Sequence, residues 1–308
     1  MRQTAINHVY NLAQRDPRVV FVGSDLSPGL LDPMKQAYPD RFYMEGVSEA
    51  NVIGMAAGMA MEGYMPYVNT IATFLTRRCF DQLAIDVCLE NLPVRLISNG
   101  GGVVYAPLGP THLATDDIAI LRALPNMTIV APVDAAEITR LMDATLDWKG
   151  PLYIRLAKGG DPIVSRADVP FVIGKAIEMR EPGDIAIVST GIMTNRALAV
   201  AEALRQQGIS AGVLHAHTVK PLDNDAVLYA ARQVRLVVTM EEHSIIGGLG
   251  SAVAELFADT GTTRRVLRLA LGDRFPIGYG SQDHLLAEAG LSVPAMIERI
   301  GGAYRASI

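Results

Sequence analysis

Apolar positions along this chain fall into two alternating rhythms. Short unbroken runs such as Val19-Val20-Phe21-Val22 and Ile185-Ala186-Ile187-Val188 are bounded by turn residues, the pattern of strands buried on both faces. Between them, apolar residues recur every three or four positions. Ala5, Val9, Leu12 and Ala13 predict a helix over 2–13, which Asp16-Pro17 ends. The same reading predicts strands over 19–23, 65–69, 94–98, 127–132 and 152–156. Helices are expected over 73–89 and 134–146, with another ending near 121. A looser segment rich in Gly, Pro and mixed charge runs from Lys158 to Asp184. Beyond it, strands over 185–191, 211–215, 236–242 and 266–271 alternate with helices over 194–207, 223–231 and one opening at Gly247. Regular alternation of this kind builds an α/β fold with a mostly parallel, doubly wound sheet. We therefore expect two α/β domains, 1–160 and a smaller 184–308, joined by a linker over 161–183.

One stretch breaks the pattern. Gly46-Val47-Ser48-Glu49 opens a helix whose next residues include Gly54, Ala56, Ala57, Gly58 and Ala60. Ser48 is placed to cap it by accepting a backbone N–H, and the helix dipole favours a carboxylate at Glu49. The missing side-chain bulk lets another backbone approach closely and predicts a buried helix. Glu49 would then lie at a desolvated helix mouth, where burial disfavours the charged form. On the residues alone, a capping glutamate on a core helix is the simpler account of the stretch.

Composition narrows the class. The chain has 308 residues, half of them hydrophobic, and a net charge of −5, which argues against a nucleic-acid surface. No apolar run reaches the ~18 residues of a membrane span. Only Cys79 and Cys88 are present, and Met1-Arg2-Gln3-Thr4 leads into a mixed polar segment unlike a signal peptide. Both features point to a reducing, cytoplasmic location. The histidines show no metal-ligand spacing, and His215 and His217 read as polar residues at a strand end. Asn99-Gly100-Gly101-Gly102 suits either a ligand loop or a turn with positive φ. Gly247-Gly248-Leu249-Gly250 lacks the spacing of a phosphate loop and reads as tight packing.

The stretch at 46–60, the helix start at 73–82 and Gly109-Pro110-Thr111-His112 stand in an order that resembles the thiamine-diphosphate enzymes of the transketolase family. The resemblance continues through Gly150-Pro151-Leu152-Tyr153-Ile154-Arg155 and Glu241-Glu242-His243 to Gly250. It implies a pyrimidine-binding domain followed by the family's C-terminal domain, the latter also similar to deoxyxylulose-phosphate synthase. The family's metal- and diphosphate-binding domain carries Gly-Asp-Gly. Here Gly-Asp occurs at Gly160, Gly183 and Gly272, never followed by Gly. The resemblance thus implies the C-terminal subunit of a split transketolase, with Mg2+ and the diphosphate held mainly by a partner N-terminal subunit, in an α2β2 assembly.

The family's activating glutamate falls on Glu49, which would share a proton with the pyrimidine N1′. By the same comparison Phe74 stacks on the pyrimidine, and Ile71 and Asp25 lie beside the cofactor. His112 meets substrate hydroxyls, and Arg155 and Arg2 meet the sugar phosphate. The residues alone leave Phe74 as a core aromatic, His112 as a helix-start polar group and Arg155 as an ion-pair partner. Three departures stand out: Leu108 replaces an Asp, the Asn99–Gly102 loop lacks a histidine, and Ile71 replaces an aromatic. They suggest an atypical ketose, branched or sulfonated. The expected activity is transfer of a two-carbon ketol unit from a ketose to an aldose. Competing readings are a deoxyxylulose-phosphate synthase-like or oxo-acid dehydrogenase β-type subunit, and a regulatory subunit without chemistry.

Overall fold

A computed structural model of the chain describes residues 1–24, 29–232 and 234–306. The first half runs α1 (Arg2–Arg15), β1 (Val19–Gly23), α2 (Asp32–Ala37), β2 (Phe42–Met44), α3 (Glu49–Met61), β3 (Met65–Ile71), α4 (Ala72–Arg77), α5 (Phe80–Gln82), β4 (Arg95–Asn99), α6 (Asp117–Arg122), β5 (Thr128–Val130), α7 (Ala135–Ala144) and β6 (Leu152–Leu156). The second runs β7 (Ile177–Arg180), β8 (Ile185–Ser189), α8 (Met193–Gln206), β9 (Ala211–His215), β10 (Thr218–Lys220), α9 (Asn224–Arg232), β11 (Leu236–Ser244), α10 (Leu249–Thr260), β12 (Arg265–Leu271), α11 (Gln282–Glu288) and α12 (Val293–Arg305).

The unbroken apolar runs do form strands buried on both faces, in two mostly parallel sheets. The first has the order β10-β5-β6-β4-β3-β1-β2 and the second β12-β11-β8-β9-β7. Each carries one antiparallel edge, β10 on β5 and β7 on β9. Helix faces cover both sides. Ala5, Ile6, Val9 and Leu12 of α1 pack with Ile138, Leu141 and Met142 of α7 on one face of the first sheet. Val52, Ile53, Ala56 and Ala57 of α3 pack on the other, in a core that continues without a break into Val188, Leu214, Leu249 and Val253 of the second half.

Several sequence expectations change. Ser48 does not cap α3 with its side chain; its hydroxyl donates instead to the Glu45 carbonyl, 3.1 Å away. The helix is buried on one side only: Gly54 and Gly58 are exposed and have open space where a β-carbon would point. The single helix expected over 73–89 is broken into α4, α5 and a π-helical turn at Leu83–Cys88. The looser segment contains β7, and the first sheet borrows its edge strand β10 from the second half. The glycines at 247–250 do pack tightly. A β-carbon on Gly248 would lie 2.0 Å from Glu241 Oε2, while Leu249 and Gly250 N–H groups donate to that carboxylate at 2.7 and 2.8 Å. The helix terminus binds the chain's own buried anion.

Candidate active site

Parallel pairing aligns the carboxyl ends of three strands. Ile71 of β3 sits opposite Asn99 of β4, which sits opposite Leu156 of β6. In open α/β sheets this is the edge where ligands bind. Ile71 is also the residue before α4, so Phe74 falls in that helix's first turn and Arg78 at its end. Glu49 opens α3 beside them and is 5% exposed. The Arg78 Nη1 donates to Glu49 Oε2 at 3.1 Å, and its guanidinium carbon lies 3.8 Å above the centre of the Phe74 ring. The far side of the cluster is His112, whose ring meets Phe74 at 5.1 Å and 66°. The His112 Nδ1 lies 2.9 Å from Thr111 Oγ1. Cys79 is buried next to this group. Burial first, then the Glu49 charge, pushes its thiol up to about 12, which removes it as a nucleophile.

The loop after β4 forms the other wall. Gly100 has φ +80°, and a β-carbon there would lie 2.1 Å from the Tyr105 ring. The tyrosine ring therefore packs directly against the loop at Gly100. Gly102, with φ +70°, would similarly meet Glu242 at 2.5 Å. Asn99 is 2% exposed, and neither atom of its side-chain amide has a partner. It lines a cleft of about 350 Å3 together with Arg2, Tyr105, Leu108 and Lys158. The second half closes over the rim, since a β-carbon on Gly109 would lie 2.6 Å from Tyr279.

Arg155 is not part of this cleft. Its fork is taken by Asp117, with Nε to Oδ2 at 2.7 Å and Nη2 to Oδ1 at 3.1 Å, and Nη2 also donates to the carbonyls of Ala114 and Glu242. Burial opposes the charge on Asp117, but the Arg155 guanidinium outweighs it and holds the carboxyl below its ordinary range. The expected phosphate arginine thus tethers the two sheets. Lys158, three residues on, reaches the cleft in its place, and strand alternation alone gave no reason to prefer one over the other. Asn99 stands in a loop the sequence offers as either a ligand loop or a turn; its unpartnered amide is invisible in sequence. The Asp25 expectation lies outside the described residues.

His215 closes β9 and His217 follows two residues later, at the strand end the sequence suggests, and both are fully buried. His215 bridges Glu137 (3.0 Å) and Thr194 (2.7 Å), joining α7 to the second sheet. Among the described residues, no three His, Cys, Asp or Glu side chains are placed to hold a metal ion.

Residues 1–160 match the family model for the transketolase pyrimidine-binding domain, and residues 174–296 match the transketolase C-terminal domain. The chain belongs to the transketolase family. It is 37% identical over 301 residues to a 6-deoxy-6-sulfo-D-fructose transketolase subunit of Clostridium sp. (strain MSTE9), covering 96% of this chain and 92% of that one. It is 39% identical over 302 residues to the 1-deoxy-D-xylulose-5-phosphate synthase of Synechococcus sp. (strain JA-2-3B'a(2-13)), covering 96% of this chain and 46% of that enzyme. The chain therefore spans about half the length of the synthases it matches. A solved split-gene transketolase, described as an inactive beta4 tetramer, superposes with a TM-score of 0.90 at 34% identity, covering 99% and 98% of the two chains. A Pichia stipitis transketolase shares the fold at TM-score 0.77 and 18% identity.

Family members use thiamine diphosphate, and the local geometry fits its pyrimidine end. Glu49 and Phe74 hold a planar, N–H-bearing cation between them, here the Arg78 guanidinium, one through its edge and one through its face. The described residues offer no comparable fit for the metal end.

Proposed function

We propose that this chain is the pyrimidine-binding subunit of a two-chain transketolase, transferring a two-carbon ketol unit from an anionic ketose to an aldose. The observation that carries the reading is the joint grip of Glu49 and Phe74 on one planar N–H donor, 5.1 Å from the His112 ring. Thiamine diphosphate, when bound, supplies the electron sink for breaking and making the C–C bond. The chain's own residues do the rest. The Glu49 carboxylate holds a proton at the ring edge, in a site too buried for water to compete. Phe74 fixes the ring plane. His112 reaches the substrate side of that plane, hydrogen-bonded to Thr111. Asn99 offers a buried, unpaired amide to a substrate hydroxyl, and Arg2 and Lys158 offer cations to a phosphate or sulfonate terminus. Leu108 and Tyr105 make the intervening wall less polar, which suits a ketose other than the ordinary sugar phosphates. The relative named for a sulfofructose substrate supports that choice.

Ligands for Mg2+ and the diphosphate come from a partner subunit bearing the remaining family domain. Near-complete coverage of two subunit-type relatives supports this reading, and the open Gly54–Gly58 face of α3 offers the surface for it. The assembly we propose is α2β2, two copies of this chain with two of the partner; the tetrameric relative supports self-association of such chains but is itself a β4 form. The test is reconstitution with partner, thiamine diphosphate and Mg2+, assayed with ketose donors and with pyruvate. Ketol transfer is expected, and Glu49→Ala should lower turnover by about 100-fold or more. Near-normal turnover in Glu49→Ala overturns the role of Glu49. Product formed only from pyruvate makes the chain synthase-like instead.

A further inference from the structure

We infer that Arg78 plugs the cofactor half-site: its guanidinium holds the place of the pyrimidine ring and must swing away before that ring can bind. The inference rests on the transketolase reading above and goes beyond it. A guanidinium is flat, cationic and edged with N–H groups, so it can stack on an aromatic face while donating from its rim. Arg78 does both at once, 3.8 Å over Phe74 and 3.1 Å from Glu49 Oε2. Those are the two contacts an aminopyrimidine would use. One face of Phe74 cannot stack two flat groups at van der Waals distance, so the side chain and the ring exclude each other.

The arrangement has a physical reason. Glu49 is 6% exposed at its side chain, and a buried carboxylate without a counter-charge is strongly unfavourable. Arg78 supplies that counter-charge, which keeps α3 and α4 in register. Its own side chain is 48% exposed. It follows the last residue of α4, at the break before α5. It can therefore turn into solvent by rotating side-chain bonds, with no change in the packed core. Cys79, the other titratable group against Glu49, is buried and carries no charge to take over. Displacing one cation–π contact and one half-exposed ion pair should weaken cofactor binding by about tenfold relative to a chain without the plug.

Calorimetric titration of thiamine diphosphate, with Mg2+, into the chain complexed with its partner subunit tests this without any turnover. Arg78→Ala should tighten the dissociation constant by about tenfold. Arg78→Lys, which keeps the charge but loses the flat stack, should fall between the two. In the absence of cofactor, thermal melts should show Arg78→Ala and Glu49→Gln to be non-additive, since each removes the other's partner. An Arg78→Ala complex that melts normally yet binds the cofactor no tighter, or more weakly, overturns the inference while leaving the transketolase reading intact. Failure of both wild type and variant to bind the cofactor overturns the two together.

Discussion

Glu242 has one of the more unusual environments among single residues in the molecule. It is buried beneath the Gly100–Gly102 loop, accepting from the Val103 N–H at 2.7 Å and from Gln282. Burial raises its carboxyl from 4.5 to about 7, against the opposing pull of Arg155. Between those limits the folded chain keeps a proton that the unfolded chain has lost, so stability falls as pH rises. His217 acts in the opposite sense. Burial lowers it from 6.5 to about 4, so its contribution grows as pH rises through that range. The difference between wild type and Glu242→Gln isolates the first effect. From pH 5 to 8 the wild type should lose roughly 3 kcal/mol relative to the variant, read from urea unfolding at each pH. Asp117→Asn at the same junction leaves Arg155 buried without its counter-charge. It should lower stability by about 3–5 kcal/mol in the same assay.

At the scale of elements, the break after α4 and the loop after β4 matter most. A continuous helix over 73–89 would carry residue 78 onward along its axis. The interruption at Cys79 and the π-helical turn behind it hold Arg78 at the mouth of the site. The loop's shape is set by glycine. At Gly100 any side chain would meet both an unfavourable positive φ and the Tyr105 ring. Gly100→Ala should therefore cost about 1–3 kcal/mol in urea unfolding, and Tyr105→Ala in that background should recover the steric part.

For the molecule as a whole, the two sheets are not independent modules. The first draws its edge strand β10 from the second half, where Lys220 Nζ also donates to the carbonyls of Arg122 and Leu124. The α3 core runs into residues of both halves. A fragment ending at residue 160 would expose that core and the β5 edge. Circular dichroism on heating should show no cooperative transition for it, against a single transition for the full chain. The open face of α3 belongs to the same scale. Gly58→Arg should not lower the isolated chain's melting temperature, because nothing beyond its own helix lies within 4 Å of an added β-carbon and the exchange removes a helix-interior glycine. It should abolish assembly with the partner on size-exclusion chromatography.

The sequence determined the parts that depend on neighbours along the chain. Burial on both faces forces continuous apolar runs, so the central strands were legible almost to the residue, β6 at Leu152–Leu156 and β9 at Ala211–His215 among them. The resemblance to the transketolase family pointed to one site at Glu49, Phe74 and His112, and the fold brings those three together around Arg78. What it could not settle was which partner each polar group would take, because that depends on residues distant in sequence. Arg155 lies within β6 and Lys158 two residues past its end; Asp117 claims the first and the cleft receives the second. Arg78 carried no signal of its own beside Arg77. Its meaning comes from a broken helix that sets a guanidinium between a ring and a buried carboxylate, a placement that only the packing of α3 against α4 creates.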